Sequence, residues 1–319
     1  LTKTSRAYTN IALIKYWGKA DEQYKIPYTG SLSLTLDKFY TDTTVEIIDS
    51  EYDQFILDGQ IVDNTRISKY LDFVRNEYGF DNHLKIISEN HVPTSAGFAS
   101  SASGYAALAG ALNSNLNLGL NQKELSILAR NGSGSASRSV YGGFVEWQAG
   151  NSNETSFAIP IDENPKTDLM ILSVILNENK KDISSTQGMR LSAATSPFYG
   201  EWKNLVNRNL EEIKSAILAN DIQKIGEISE HNAMSMHALT ISSNPTFTYF
   251  SGNTLRVIEL VKELRTRGIL AYCTIDAGPN VKIITDKNNI DIVDEYIKNN
   301  VESAKTVQAK IGPGLRDID

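Results

Sequence analysis

The side chains best suited to chemistry fall in two runs of small residues, one aspartate turn and one lysine-flanked segment. The first run is Val92-Pro93-Thr94-Ser95-Ala96-Gly97-Phe98-Ala99-Ser100-Ser101-Ala102-Ser103-Gly104. Its small residues let the backbone approach a bulky anion closely. An alanine-rich helical pattern follows, and the first amides of a helix are unpaired and favour phosphate. Ser100, Ser101 and Ser103 add hydroxyls that can bond phosphate oxygens or a Mg²⁺ ion. The run has no lysine, so it is not the GxxxxGK[ST] loop. The same residues also suit an ordinary serine-rich helix cap.

The second run is Asn131-Gly132-Ser133-Gly134-Ser135-Ala136-Ser137-Arg138-Ser139. Asp276-Ala277-Gly278-Pro279-Asn280 follows an apolar stretch. A carboxylate at a strand end beside a tight turn is held rigidly, as a catalytic group must be. A turn aspartate can equally bond its own backbone. Lys15-Tyr16-Trp17-Gly18-Lys19 closes the first strand-like pattern. Alone, Lys19 reads as a solvated lysine and Arg138 as a helix-end cation.

The elements that must position these groups follow from apolar periodicity. Strands are expected at residues 6–16, 31–36, 41–48, 54–57, 61–62 and 83–88, the early ones as a meander, with a polar loop through Asp21, Glu22 and Gln23. Helices are expected from residue 65 to near Gly79, over 101–116, and from a capping box of Asn121 and Glu124 to Arg130. Further strands fall at 142–148, 157–161 and 169–176. Beyond Lys181 come helices at 184–195, 201–219, 222–239, 254–267 and 290–299, and strands at 269–275, 281–285 and 306–311. The expected class is α+β in two lobes, divided at 181/182, with the last strand free to return toward the first lobe.

The 319 residues suffice for two domains, and a composition of 41% apolar and 22% charged residues is ordinary for a globular chain. No apolar run approaches a membrane span, and none follows residues 1–6 as a secretion signal requires. The single cysteine, Cys273, fits a reducing compartment and is expected to lie buried in its strand. Four scattered histidines make a zinc cluster improbable, and His231 and His237, six apart, read as structural. Trp147 and Trp202 read as packing residues. A net charge of -7 with no basic stripe argues against nucleic acid.

Taken together, the motifs identify a family. The chain resembles the mevalonate diphosphate decarboxylases of the GHMP kinase superfamily over nearly its whole length. The resemblance is carried by Thr9-Asn10-Ile11-Ala12-Leu13-Ile14-Lys15-Tyr16-Trp17-Gly18-Lys19, by Pro93 to Ser103, and by the Gly132 to Ser139 run with Gly142-Gly143-Phe144-Val145-Glu146-Trp147. Ser184-Ser185-Thr186, Gly188-Met189, Met236-His237-Ala238 and the Asp276 turn follow in the family's order. Phe98 stands where leucine is common, Ser137 where cysteine is common, and the position of Thr186 varies.

The resemblance implies a GHMP kinase-like fold, with a first lobe like ribosomal protein S5 and a helix-rich, ferredoxin-like second lobe. It implies ATP-dependent conversion of mevalonate 5-diphosphate to isopentenyl diphosphate, carbon dioxide, ADP and phosphate, in a cytoplasmic homodimer. Asp276, Arg138 and Lys19 would be catalytic. Tyr16, Lys19, Ser133, Ser135, Arg138, Ser185, Thr186 and Ala277 would hold the substrate. Pro93, Ser95, Ala96, Gly97, Ala99, Ser100, Ser101 and Ser103 would hold ATP, with Ser101 on Mg²⁺ and adenine contacts near residues 64–70. Two cations, Lys19 and Arg138, with many neutral donors, are expected to suffice for the anions. A sibling kinase acting on mevalonate or its monophosphate, and a non-catalytic ligand-binding relative, share parts of this pattern. Asp276, Lys19 and Arg138 together favour the decarboxylase.

Overall fold

The structure, a computed structural model, describes residues 2–63, 65–91, 100–176, 182–302 and 304–318, with Ser100 described by its backbone only. The first lobe contains β1 (Thr4–Ile14), β2 (Lys19–Asp21), β3 (Ile26–Pro27), β4 (Ser31–Ile48), β5 (Gln54–Leu57), β6 (Gln60–Ile61), α1 (Thr65–Tyr78), β7 (His83–His91), α2 (Ser100–Asn115) and α3 (Gln122–Gly132). A 3₁₀ segment (Gly134–Val140), β8 (Phe144–Gln148) and β9 (Phe157–Asp162) complete it. The second lobe contains β10 (Leu169–Ile175), α4 (Ser185–Thr195), α5 (Tyr199–Leu218), α6 (Ile222–Ile241), α7 (Gly252–Thr266), β11 (Tyr272–Ile275), β12 (Val281–Asp286), α8 (Ile290–Asn300) and β13 (Lys305–Ala309). The short β14 (Arg316–Asp317) returns to pair with β1.

Most expected elements form, because their signals are local. Asn121 caps α3 in the expected capping box. Pairings differ from expectation where they depend on distant chain. The strands expected at 31–36 and 41–48 are one long β4, bent where the Asp37 amide leaves β1 to donate to the Lys310 carbonyl. The early strands are not a meander. The sheet runs β14-β1-β4-β7-β5-β6, with β5 parallel to β7 and β8-β9 attached to β4. The polar loop near Asp21 is a small β2-β3 hairpin.

The division at 181/182 does not match the sheets. Strand β10 joins the second sheet, whose order β13-β10-β12-β11 is the ferredoxin-like arrangement with β10 as first strand. A continuous apolar strand carries no mark of which sheet it joins.

Among the described residues, three hydrophobic cores hold the molecule. One lies between the first sheet and α1, α2 and α3, and another between the second sheet and α7 and α8. The largest is shared by the lobes: Ile11, Leu13, Leu32 and Leu34 pack against Trp202, Val206, Leu210, Ile213 and Met236. That shared core fixes the second lobe's Asp276 turn against the first lobe's β1. Among the described residues no helix is long and apolar enough to cross a membrane.

Candidate active site

A polar cleft opens between the lobes, and all eight residues expected to hold the substrate line it. Tyr16, Lys19, Ser101, Ser133, Ser135, Arg138, Ser185, Thr186, Asp276 and Ala277 converge there from β1, β2, α2, the 3₁₀ segment, α4 and the turn after β11.

The backbone places them for local reasons. The Lys15 amide has left the β1 ladder and donates to Asn232 Oδ1 of α6 at 2.8 Å, which swings Tyr16 into the cleft. Gly18 has φ 130°, and a Cβ there would lie 1.8 Å from the Tyr199 hydroxyl, which itself donates to the Trp17 carbonyl at 2.7 Å. Only glycine allows that approach. At Gly134 a Cβ would meet the Trp147 ring at 2.7 Å, so the 3₁₀ segment rests directly on Trp147. Ser184 caps α4 with Gln187, leaving Ser185 and Thr186 in its first turn at the cleft.

Asp276 is the single acid among the described residues lining the cleft. Its Oδ1 accepts from Lys15 Nζ at 2.7 Å, and its Oδ2 lies 3.5 Å from Lys282 Nζ. Both lysine side chains are only 2% exposed. Burial presses the Lys15 ammonium below the ordinary lysine range, and the Asp276 charge opposes that shift. Behind the carboxylate, His237 of α6 bonds the Ile275 carbonyl at 3.1 Å. Burial lowers its pKa to about 4, with Lys15 adding to the effect, so it is neutral at physiological pH.

Arg138 is buried. Its Nε and one terminal nitrogen donate to Asn10 Oδ1 at 3.3 and 3.2 Å, and its other terminal nitrogen donates to Ser31 Oγ at 2.5 Å. Burial lowers its pKa to about 10, against the favourable charge of Asp276. The Tyr16 ring meets Trp147 edge-on at 4.8 Å between centroids. Its hydroxyl is buried and has no hydrogen-bond partner among the described residues, and burial pushes its pKa up. A buried donor without an acceptor is costly, and an anionic ligand would supply one. Ser133 Oγ lies 3.4 Å from Ser101 Oγ and 3.5 Å from Ser135 Oγ, linking the start of α2 to the 3₁₀ segment. Lys19 reaches Glu22 at 3.2 Å, and Glu22 in turn holds Arg190 at 2.8 Å.

Two expectations change. Ser103 does not line the cleft: it is fully buried and shares a hydrogen bond with Thr41 Oγ1 at 2.8 Å. It lies two residues, or roughly 200° of helix, beyond Ser101 and faces the sheet. The cation count is also larger. Lys15, Lys25 and Arg66 line the cleft with Lys19 and Arg138. Burial and the nearby cations Arg66, Lys19 and Arg130 lower the Lys25 pKa to about 8. Pro93, Ser95, Ala96, Gly97 and Ala99 lie outside the described residues, and Ser100 opens α2.

Lys15, Lys282, Asn10 and Lys25 received no role from sequence reasoning, and Arg66 was covered only by the stretch expected near adenine. For Lys282 a signal existed: a lysine between Val281 and Ile283 in an otherwise apolar strand. Cys273 is buried, as expected, and Trp147 and Trp202 are packing residues. His237 is buried and His231 exposed, so they form no pair.

Family models match both lobes. The diphosphomevalonate decarboxylase-like N-terminal domain matches residues 7–158, and the mevalonate 5-diphosphate decarboxylase C-terminal domain matches residues 171–313. The chain belongs to the mevalonate diphosphate decarboxylase family. It is 37% identical to the diphosphomevalonate decarboxylase of Candida albicans over 309 residues, covering 90% of this chain and 85% of the relative. The crystal structure of the Staphylococcus aureus mevalonate diphosphate decarboxylase superposes with a TM-score of 0.95 at 45% identity, covering 100% of this chain and 98% of that one. A structure described as MDDEF in complex with MVAPP, AMPPCP and magnesium gives a TM-score of 0.94 at 44% identity, covering 100% and 99%. The two-lobed GHMP kinase-like fold expected from the sequence is therefore the fold of this chain.

Proposed function

We propose that this chain converts mevalonate 5-diphosphate and ATP to isopentenyl diphosphate, carbon dioxide, ADP and phosphate. One observation carries the reading: Asp276, the single carboxylate among the described residues of the cleft, is gripped by buried lysines from both lobes where cations and neutral donors supply the other polar groups. The cleft also answers how a chain of net charge -7 accepts two polyanions, since the positive charge is local.

Asp276 stands by the C3 hydroxyl of the substrate and orients it, or takes its proton, as the γ-phosphoryl group of ATP is transferred. Phosphoryl transfer asks mainly for positioning and charge stabilisation. The C3–O bond then breaks and phosphate leaves, with positive charge developing at C3 beside the Asp276 carboxylate. The C1–C2 bond breaks as carbon dioxide departs, and its electron pair forms the C2–C3 double bond.

Arg138 holds the C1 carboxylate through the remaining N–H of each terminal nitrogen. Tyr16, Lys19, Ser133, Ser135, Ser185, Thr186 and Ala277 hold the diphosphate and tail. The start of α2 with Ser101 takes the ATP phosphates. The groove beside it, lined by Phe55, Leu57, Val62, Ile67, Tyr105 and Leu108 and joined to the cleft at Arg66 and Ser101, suits adenine. Among the described residues no three carboxylates, histidines or cysteines converge on a metal position. Mg²⁺ therefore fits as an ion carried by the ATP phosphates, with Ser101 offering a hydroxyl. It neutralises phosphate charge when bound. A cytoplasmic homodimer belongs to the same reading, supported by the resemblance and by one buried cysteine.

The test is an assay with mevalonate 5-diphosphate, ATP and Mg²⁺ in which ADP and carbon dioxide are measured in parallel. Equal rates are expected. ADP without carbon dioxide would make the chain a kinase, and neither product would make it a non-catalytic relative.

A further inference from the structure

Lys282 is the second residue of β12, where every residue from Val281 to Thr285 is buried. A buried ammonium costs several kcal/mol unless it is paired, so its place demands a reason. Strand alternation sends Val281 and Ile283 into the core with α7 and α8, and Lys282 and Ile284 to the face that meets the first lobe. The sheet is polar at that level. Ser173 of β10 and Thr274 of β11 are both in register with Lys282. Their small hydroxyl side chains leave room for the long lysine stem to run toward Asp276.

There the two lysines divide the carboxylate, with Lys15 on Oδ1 at 2.7 Å and Lys282 on Oδ2 at 3.5 Å. A cation on one oxygen alone would leave the carboxylate free to turn about its Cβ–Cγ bond. A second cation from a rigid central strand fixes its plane. We propose that Lys282 is a positioning residue for Asp276: acting opposite Lys15, it sets the plane of the carboxylate in front of the substrate's C3 hydroxyl. The inference rests on the role assigned to Asp276 above. Among the described residues, charged and titratable groups facing that carboxylate include Lys15 from the end of β1, Lys282 from β12, Arg138 from the 3₁₀ segment and His237 from α6.

Lys282→Met keeps the length of the stem and removes the charge. The misaimed carboxylate should lower kcat by about 10- to 100-fold, with KM for both substrates within about three-fold. Loss of a nearby cation should move the acid limb of the kcat profile upward by about one pH unit or more. The melting temperature should not fall, because an apolar group replaces a buried ammonium. Lys282→Arg keeps the charge, so its acid limb should stay at the wild-type pH. Lys282→Ala should regain activity when methylammonium is added.

The proposal falls if Lys282→Met keeps kcat within two-fold and leaves the acid limb in place. It falls if Lys282→Arg shifts that limb as far as Lys282→Met does. It also falls if Lys282→Met fails to fold, since a positioning role leaves the core intact. Asp276→Asn, assayed alongside, separates the two readings. An active Asp276→Asn overturns the role of Asp276 itself. An inactive Asp276→Asn beside a normal Lys282→Met overturns only that of Lys282.

Discussion

Replacing Arg138 by lysine changes no charge and removes one geometry. The guanidinium has five N–H donors. Three are engaged by Asn10 Oδ1 and Ser31 Oγ, which leaves one on each terminal nitrogen for a carboxylate. Burial lowers its pKa to about 10, so it is still charged at neutral pH. A lysine ends in one ammonium with three donors, which cannot replace the three bonds to Asn10 and Ser31 and the two left for a carboxylate. At least one charge-assisted hydrogen bond is lost, worth roughly 1.5–3 kcal/mol. The kcat/KM for mevalonate 5-diphosphate should therefore fall about 10- to 150-fold. Most of the loss should appear in KM, because the C1 carboxylate carries its full charge in the ground state and loses it as carbon dioxide forms. A coupled ADP assay at fixed Mg-ATP, with the substrate varied, reads both parameters. Values within three-fold of wild type would refute the grip, and so would a change confined to the KM for ATP.

The remaining predictions concern the other parts of the cleft. Asp276→Ala should cut turnover by more than about 10³-fold while nucleotide affinity stays within a few-fold, as single-turnover rates and nucleotide binding would show. Near-wild-type turnover would contradict its role. Ser101→Ala should raise the KM for Mg-ATP more than that for mevalonate 5-diphosphate in steady-state assays, and the reverse pattern would argue against ATP phosphates at the start of α2. His237 binds its proton less readily when folded, with a pKa of about 4 against an ordinary 6.5. Its neutral burial therefore adds stability that is fully present above pH 6.5 and is lost as pH falls toward about 4, on the order of 3 kcal/mol. His237→Gln should flatten the melting temperature over that window, and an unchanged acid slope would count against it.

The sequence spoke clearly where chemistry is local and faintly where it depends on distant pairing. Asp276, Arg138, Ser133 and Tyr16 read singly as ordinary residues and take their expected roles from the family resemblance of the motifs that hold them; the fold brings all four to one cleft. Lys282 takes none, because one lysine in a strand reads equally as a solvent-facing residue until the partner lobe is in place. Lys25 and Arg66 sit in stretches that look solvated, and only the fold turns them to the cleft. Ser103 carries the same residue type as Ser101, and helix phase alone separates their surroundings. Strand positions were legible from period two. Which strand pairs with which was not, since β5 lies parallel to β7 through contacts across intervening chain.

The core shared by the lobes also limits how such a chain can be recombined. A crossover between β9 and β10 looks convenient, because it falls between two sheets. It would nevertheless part Ile11, Leu13, Leu32 and Leu34 from the α5 and α6 side chains that fill the space against them. A chimera built there inherits a mismatched interior, and mismatched packing of a few methylenes costs roughly 1–3 kcal/mol. The lobes are thus not units of exchange, and neither are the cleft segments that carry Trp17 and Ala277, since both side chains belong to the same interior.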